Sequence, residues 1–280
     1  MKVVKSDSTP YEPGTVRSFQ SSICRYLTEK ANINIIRDPE FHHSREVLSA
    51  KLKELKSKGL GNKKRKSEPF TAEEVNFLYE KNQLGRGNPR ALIHTVWLNN
   101  SLHFGLRSRE EHTTLRWGDV ELKVSSAGNE YLEHTERQTK TRTGASKDAR
   151  PFQAKLFADK GNPRCPVDTY KEYAKRRPDD MKESDAPFYL GAARQFIDGI
   201  WYLKQTMGNN TLSGFVKEMC EAAGIPGRKT NHSARKTTVT ALAHANVPPT
   251  QIMQVSGHKN VQSINEYCSA SLEQQQEMSY

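Results

Sequence analysis

In the last third of the chain, Asn231-His232-Ser233-Ala234-Arg235 is followed by Ser256-Gly257-His258 and then by Tyr267. His232 and Arg235 are three apart, so on a helix they share one face. They also fall where a helix should begin, and the free backbone N–H groups there favour a bound anion. Upstream, Phe104-Gly105-Leu106-Arg107-Ser108-Arg109-Glu110 opens another helix with an arginine in its first turn. Between the two, Gln138-Thr139-Lys140-Thr141-Arg142-Thr143-Gly144 follows a strand-like segment. A phenol, two imidazoles, guanidiniums and an ammonium are groups that hold an anion and move protons beside it. Singly, each has a plainer reading. Arg107 alone is a surface arginine, Lys140 a solvated loop lysine, His232 a helix cap, His258 a turn residue and Tyr267 a half-buried core tyrosine. The ordered set carries the signal.

Charge points to the same kind of partner. Lys and Arg number 43 against 32 Asp and Glu, a formal net charge of +11 in 280 residues. A polyanion is therefore the first partner to consider. Apolar residues make up 35% of the chain, enough for a core and unlike a disordered protein. No apolar run approaches the roughly 18–20 residues that cross a bilayer, and the polar Met1 to Pro10 lacks a secretory h-region. The 4 cysteines lie far apart with no CxxC pair, which argues against a disulfide scaffold or a zinc finger and suits a reducing compartment.

The elements that must position these residues read as mostly helical. Val16, Phe19, Ile23, Tyr26 and Leu27 recur at helical spacing between Thr15 and about Lys30. A second helix spans about Ser44 to Lys58, with Val47, Leu48, Leu52 and Leu55 on one stripe and Gly59 as its stop. The basic stretch Lys63-Lys64-Arg65-Lys66 reads as part of an interdomain linker, giving domains 1–66 and 67–280. Thr71 and Glu74 form a capping box for a helix to about Lys81. Another helix starts near Pro89, and a short one spans about Ser108 to Arg116. A hairpin follows, Val120 to Val124 and Tyr131 to Thr135, turning at Ser125 to Asn129. Further helices begin at Pro166, end at Gly224, and cover Thr237–Ala245 and Thr250–Val255. The fold class is mainly α with a small antiparallel β-sheet (α+β).

The set Arg107, Lys140, His232-x-x-Arg235, His258 and Tyr267 resembles the tyrosine recombinase (phage-type integrase) family. Its wording from Thr230 to Tyr267 is most similar to the recombinase domain of Crypton-type mobile elements and host proteins derived from them. The resemblance covers roughly residues 70–280, and Thr15 to Gly59 resembles a shortened helical core-binding domain. It implies a site-specific recombinase or integrase that cuts and rejoins double-stranded DNA without a metal or other cofactor, as a homotetrameric synapse in the nucleus. By that resemblance Tyr267 attacks the scissile phosphate to form a 3′-phosphotyrosyl link, and Arg107 and Arg235 clamp the phosphate. His232 is the general base, Lys140 protonates the leaving 5′ oxygen, His258 bonds a non-bridging oxygen, and Glu110 supports the first arginine. The alternative is a domesticated, non-enzymatic nuclear DNA-binding or adaptor protein; a type IB topoisomerase shares the chemistry.

Those roles suit elementary chemistry. A phenol is a fitting nucleophile because its phosphodiester keeps the bond energy for religation, yet its pKa near 10 demands help with the proton. Guanidiniums grip non-bridging oxygens by forked hydrogen bonds that lysine cannot match. Two positions stay open. Arg107 to Asp119 is one residue longer than the family pattern, so Arg109 competes with Arg107, which Gly105-Leu106 favours. Lys147 competes with Lys140, which directly follows the second strand. His42-x-x-Arg45 repeats the His-x-x-Arg pattern but precedes every other box, and reads as an exposed helix start. Lys63, Lys64, Arg65 and Lys66 read equally as a nuclear signal or as DNA-touching linker. Residues 1–66 are short for a core-binding domain, implying a truncated N-terminus or an incomplete clamp. Ser271 to Tyr280 could form a helix that packs on a neighbouring protomer.

Overall fold

The computed structural model describes residues 4–61, 67–106, 110–137, 153–193, 199–258, 260–265, 267, 276 and 279. Arg107, Arg109, Lys140, Lys147 and the run Lys63, Lys64, Arg65, Lys66 lie outside them, as does most of the tail after Tyr267. The chain divides into two compact units, Met1–Lys66 and Ser67–Tyr280.

In the first unit, α1 (Pro13–Ala31) packs on α2 (His42–Ser57). Pro13 at the start of α1 supplies a preset φ where the missing N–H costs nothing. Between the helices, Asn34 accepts from the Ile36 and Arg37 amides while Arg45 donates to the Ile35 and Asp38 carbonyls. The buried residues are Pro13, Cys24, Ile35, Leu52 and Leu55. Here the expected stripe on α1 is corrected: Phe19, Ile23 and Tyr26 are 39%, 54% and 61% exposed, while Cys24 is 6% exposed. Val47 on α2 is exposed as well. Pro13 and Cys24 are the buried residues of α1, so the buried strip is narrower than the apolar stripe.

The second unit is built around α4 (Pro89–His103), whose residues from Ala91 to Leu98 are all buried. It is preceded by α3 (Ala72–Glu80), which starts at the Thr71–Glu74 capping box. Asn88 caps α4 by accepting from the Ala91 amide at 2.8 Å, with Pro89 next. After the short α5 (Glu110–Thr114) come β1 (Val120–Val124), β2 (Glu130–His134) and β3 (Ala154–Phe157), one antiparallel sheet in that order. Leu122, Leu132 and Leu156 align across it, the last two buried. Gly128, at φ +75°, turns the β1–β2 hairpin.

Then follow α6 (Pro166–Arg176), β4 (Leu190–Ala192), β5 (Tyr202–Thr206), α7 (Asn209–Ala223), α8 (Asn231–His244), α9 (Pro249–Ser256) and α10 (Gln262–Asn265). β3 and the two-stranded β4–β5 sheet were not expected from the sequence, and α8 begins six residues before Thr237. The main core joins α3, α4, α6, α7 and both sheets around Trp97, Tyr173, Tyr202 and Phe215. A smaller cluster, Val239, Ile252 and Ile264, with Leu242, Val247, Met253 and Tyr267 against it, holds α8, α9 and α10 together.

Candidate active site

The first turn of α8 is seated by its own side chains. The Thr230 amide donates to Ser233 Oγ at 3.0 Å. Buried Asn231 accepts from the Val216 amide and donates to the Leu212 carbonyl, which ties the helix start to α7. Lys229, just before, is buried and donates to Glu74 Oε2 at 2.7 Å and to the Pro69 carbonyl at 2.6 Å. With that start fixed, His232 and Arg235 leave α8 one turn apart.

Arg235 is 5% exposed, and its guanidinium donates to the Gly105 carbonyl at 2.9 Å. Gly105 has φ +63°, and a Cβ there would lie 2.5 Å from the Val255 carbonyl oxygen. Three segments therefore meet at this glycine: the approach to Arg107, the helix bearing Arg235, and the end of α9 just before His258. The Ser256 hydroxyl donates to the Ile252 carbonyl at 2.6 Å, so toward His258 Nδ1, 2.7 Å away, it accepts. The neutral His258 ring thus carries its proton on Nδ1.

Tyr267 completes the cluster. Its hydroxyl lies 3.2 Å from His232 Nε2, and its ring centroid is 5.6 Å from that of His258. Although His232 is exposed overall, partial burial of its ring lowers its pKa from the ordinary 6.5, and the Arg235 and Lys236 cations push the same way. At neutral pH the ring is therefore uncharged, the form that can accept the phenol's proton. Four of the residues singled out from the sequence, His232, Arg235, His258 and Tyr267, are together. The sequence reading missed one neighbour: Lys236 Nζ sits over the Tyr267 ring, 5.6 Å from its centroid. Its spacing of four from His232 was the available signal.

Glu110 is exposed at the start of α5, and its carbonyl accepts from Thr114. α5 itself is pinned by a buried chain of polar groups. His112 Nε2 donates to Ser101, His112 Nδ1 accepts from Tyr189, and the Tyr189 hydroxyl accepts from Asn100. Burial holds the His112 ring neutral, its pKa pushed down to about 3. At the exit of β2, Arg137 donates to buried Asp119 at 2.6 Å. The second His-x-x-Arg pair, His42 and Arg45, lies in the first unit, with His42 exposed and 3.7 Å from Glu46. Among the described residues no three or more His, Cys, Asp or Glu side chains are grouped to hold a metal ion. No helix among them is long and apolar enough to cross a membrane.

Residues 69–221 match the family described as "Domain of unknown function (DUF3504)". The chain is 27% identical over 226 residues to "Uncharacterized protein KIAA1958" of Homo sapiens, covering 78% of this chain and 31% of that protein. It is 26% identical over 253 residues to "Zinc finger MYM-type protein 3" of Homo sapiens, covering 81% and 18%. It thus spans less than a third of either relative. Among solved structures, XerA recombinase superposes with a TM-score of 0.50 at 15% identity, over 96% of this chain and 82% of that one. The post-cleavage complex of XerH site-specific recombinase bound to palindromic difH substrate gives 0.51 at 15% identity, over 79% and 54%. The fold is that of a tyrosine recombinase catalytic domain.

Proposed function

The chain belongs to the family described as a domain of unknown function (DUF3504), and for it we propose the cutting and rejoining of double-stranded DNA through a covalent 3′-phosphotyrosyl intermediate at Tyr267. The observation that carries this reading is the Tyr267 hydroxyl at 3.2 Å from a neutral His232, with the Arg235 guanidinium one helical turn away. In the proposed step the phenol oxygen attacks phosphorus and its proton passes to His232 Nε2. The P–O5′ bond breaks, and Lys140 gives the departing oxygen its proton. Arg107 and Arg235 neutralise the charge on the non-bridging oxygens, the kind of preorganised stabilisation that supplies much of a rate acceleration. His258, with Nδ1–H committed to Ser256, donates to such an oxygen from Nε2 as the imidazolium. Rejoining is the same path reversed, so no external energy source is required.

Residues 1–66 would act as a partial core-binding domain, and Lys63, Lys64, Arg65 and Lys66 as DNA contacts or a nuclear signal. Assembly as a homotetramer on DNA, location in the nucleus and kinship with Crypton-type elements complete the reading. The net charge of +11 supports the DNA partner. A second reading, a domesticated nuclear DNA-binding protein without turnover, is favoured by the relatives, in which the matching region is 31% or 18% of a longer protein. A randomised pool of nicked suicide duplexes separates the two: an enzyme yields a covalent protein–DNA band that Tyr267→Phe removes. Duplex binding with no such band from any pool member would leave the adaptor.

A further inference from the structure

Lys236 stands out among the groups that the sequence set leaves unused. It lies four residues beyond His232 on α8, so both side chains rise on one stripe of the helix. The two reach the same tyrosine from different sides: His232 meets the hydroxyl, and Lys236 lies over the ring. We infer that Lys236 is a positioning residue for Tyr267, its ammonium stabilising the negative charge that develops on the phenol as the hydroxyl loses its proton to His232.

A cation over an aromatic face is attracted even to a neutral ring, and far more to one carrying charge. Distinct parts of the cluster thus take distinct tasks. Arg235 is buried and held on the Gly105 carbonyl, whereas Lys236 is half-buried at the rim beside the nucleophile. Among the described residues, His232 and Lys236 from α8 and His258 from the segment after α9 lie against Tyr267, and the Arg235 cation acts on the same His232 ring. Tyr267 itself packs against the apolar cluster of Val239, Ile252 and Ile264. Lys236 also helps keep His232 uncharged, so the acceptor is ready before the substrate arrives. The functional meaning of this device rests on the phosphotyrosyl reading; the electrostatics do not.

The test uses the full chain labelled with 13C at tyrosine Cζ, with the Tyr267 signal identified by its loss in Tyr267→Phe. Lys236→Gln and Lys236→Met should each raise the ionisation midpoint of Tyr267 by about half a pH unit, while Lys236→Arg stays near the unsubstituted value. In the unsubstituted chain, added salt should raise the same midpoint as the ammonium is screened. Adduct formation near pH 7 should fall about threefold in Lys236→Gln and recover in Lys236→Arg. Unmoved midpoints in both the Gln and Met variants, or a salt-insensitive midpoint in the unsubstituted chain, overturn the proposal. If the unsubstituted chain forms no adduct while the midpoint moves as stated, the phosphotyrosyl reading falls and the role of Lys236 stands.

Discussion

At the residue scale, Gly105 organises the site without a side chain of its own. Its φ of +63° is one that L side chains rarely adopt, and the Val255 carbonyl fills the space a Cβ would need. Gly105→Ala should therefore cost about 1–3 kcal/mol in urea unfolding. It should lower adduct formation more than that loss explains, because Arg235 and the approach to His258 shift with it. His232 gives a pH prediction. The ring accepts a proton only when neutral, and its pKa lies below the ordinary 6.5. Adduct formation should hold at pH 6.5 and fall only as pH drops through that lowered value; loss already above pH 7 would remove His232 as the base. The four side chains that meet were legible as residue types in a fixed order. Gly105's role was not, since it depends on a dihedral angle and on a carbonyl 150 positions away.

At the scale of elements, what aims His232 and Arg235 is the seat of α8 on α3 and α7. Asn231 satisfies the Val216 amide and the Leu212 carbonyl, both on α7. Asn231→Leu should cost about 1–3 kcal/mol, read from the urea midpoint, because those backbone groups lose their partner. The Lys229–Glu74 pair gives an ordered comparison. The Lys229 side chain is 3% exposed and that of Glu74 21%. Glu74→Gln leaves the buried ammonium with the Pro69 carbonyl and only the more distant Glu68 carboxylate at 3.9 Å, and should destabilise more than Lys229→Met, which leaves a carboxylate that water can reach. Stops and starts were plain in the sequence: the Thr71–Glu74 box, Pro89, Pro166 and Gly224 all bound helices. β3 and β4, of four and three residues, were not, being too short to show a period, and β5 buries only Tyr202 and so carries no alternation to read. On α1 the periodicity was real but wider than the strip that is buried, and Phe19, Ile23 and Tyr26 are exposed.

At the scale of the whole molecule, Tyr267 rests on the small cluster of Val239, Ile252 and Ile264, apart from the main core. Few buried contacts mean a lower cost of local opening. In native-state hydrogen exchange the α9 amides should therefore lose protection before those of α4. Equal protection would show that the cluster and the core open as one. Binding to duplex DNA should weaken linearly in log–log form as salt rises. Tyr267→Phe should leave that binding within a few-fold, while its effect on chemistry is complete. The most direct measurement incubates the full chain with the randomised nicked duplexes, digests the product, and maps any nucleotide-bearing peptide by mass spectrometry. A 3′-linked nucleotide on Tyr267, absent from Tyr267→Phe, is the predicted result. An adduct on another residue, or tight duplex binding with no adduct across the whole pool, would contradict it.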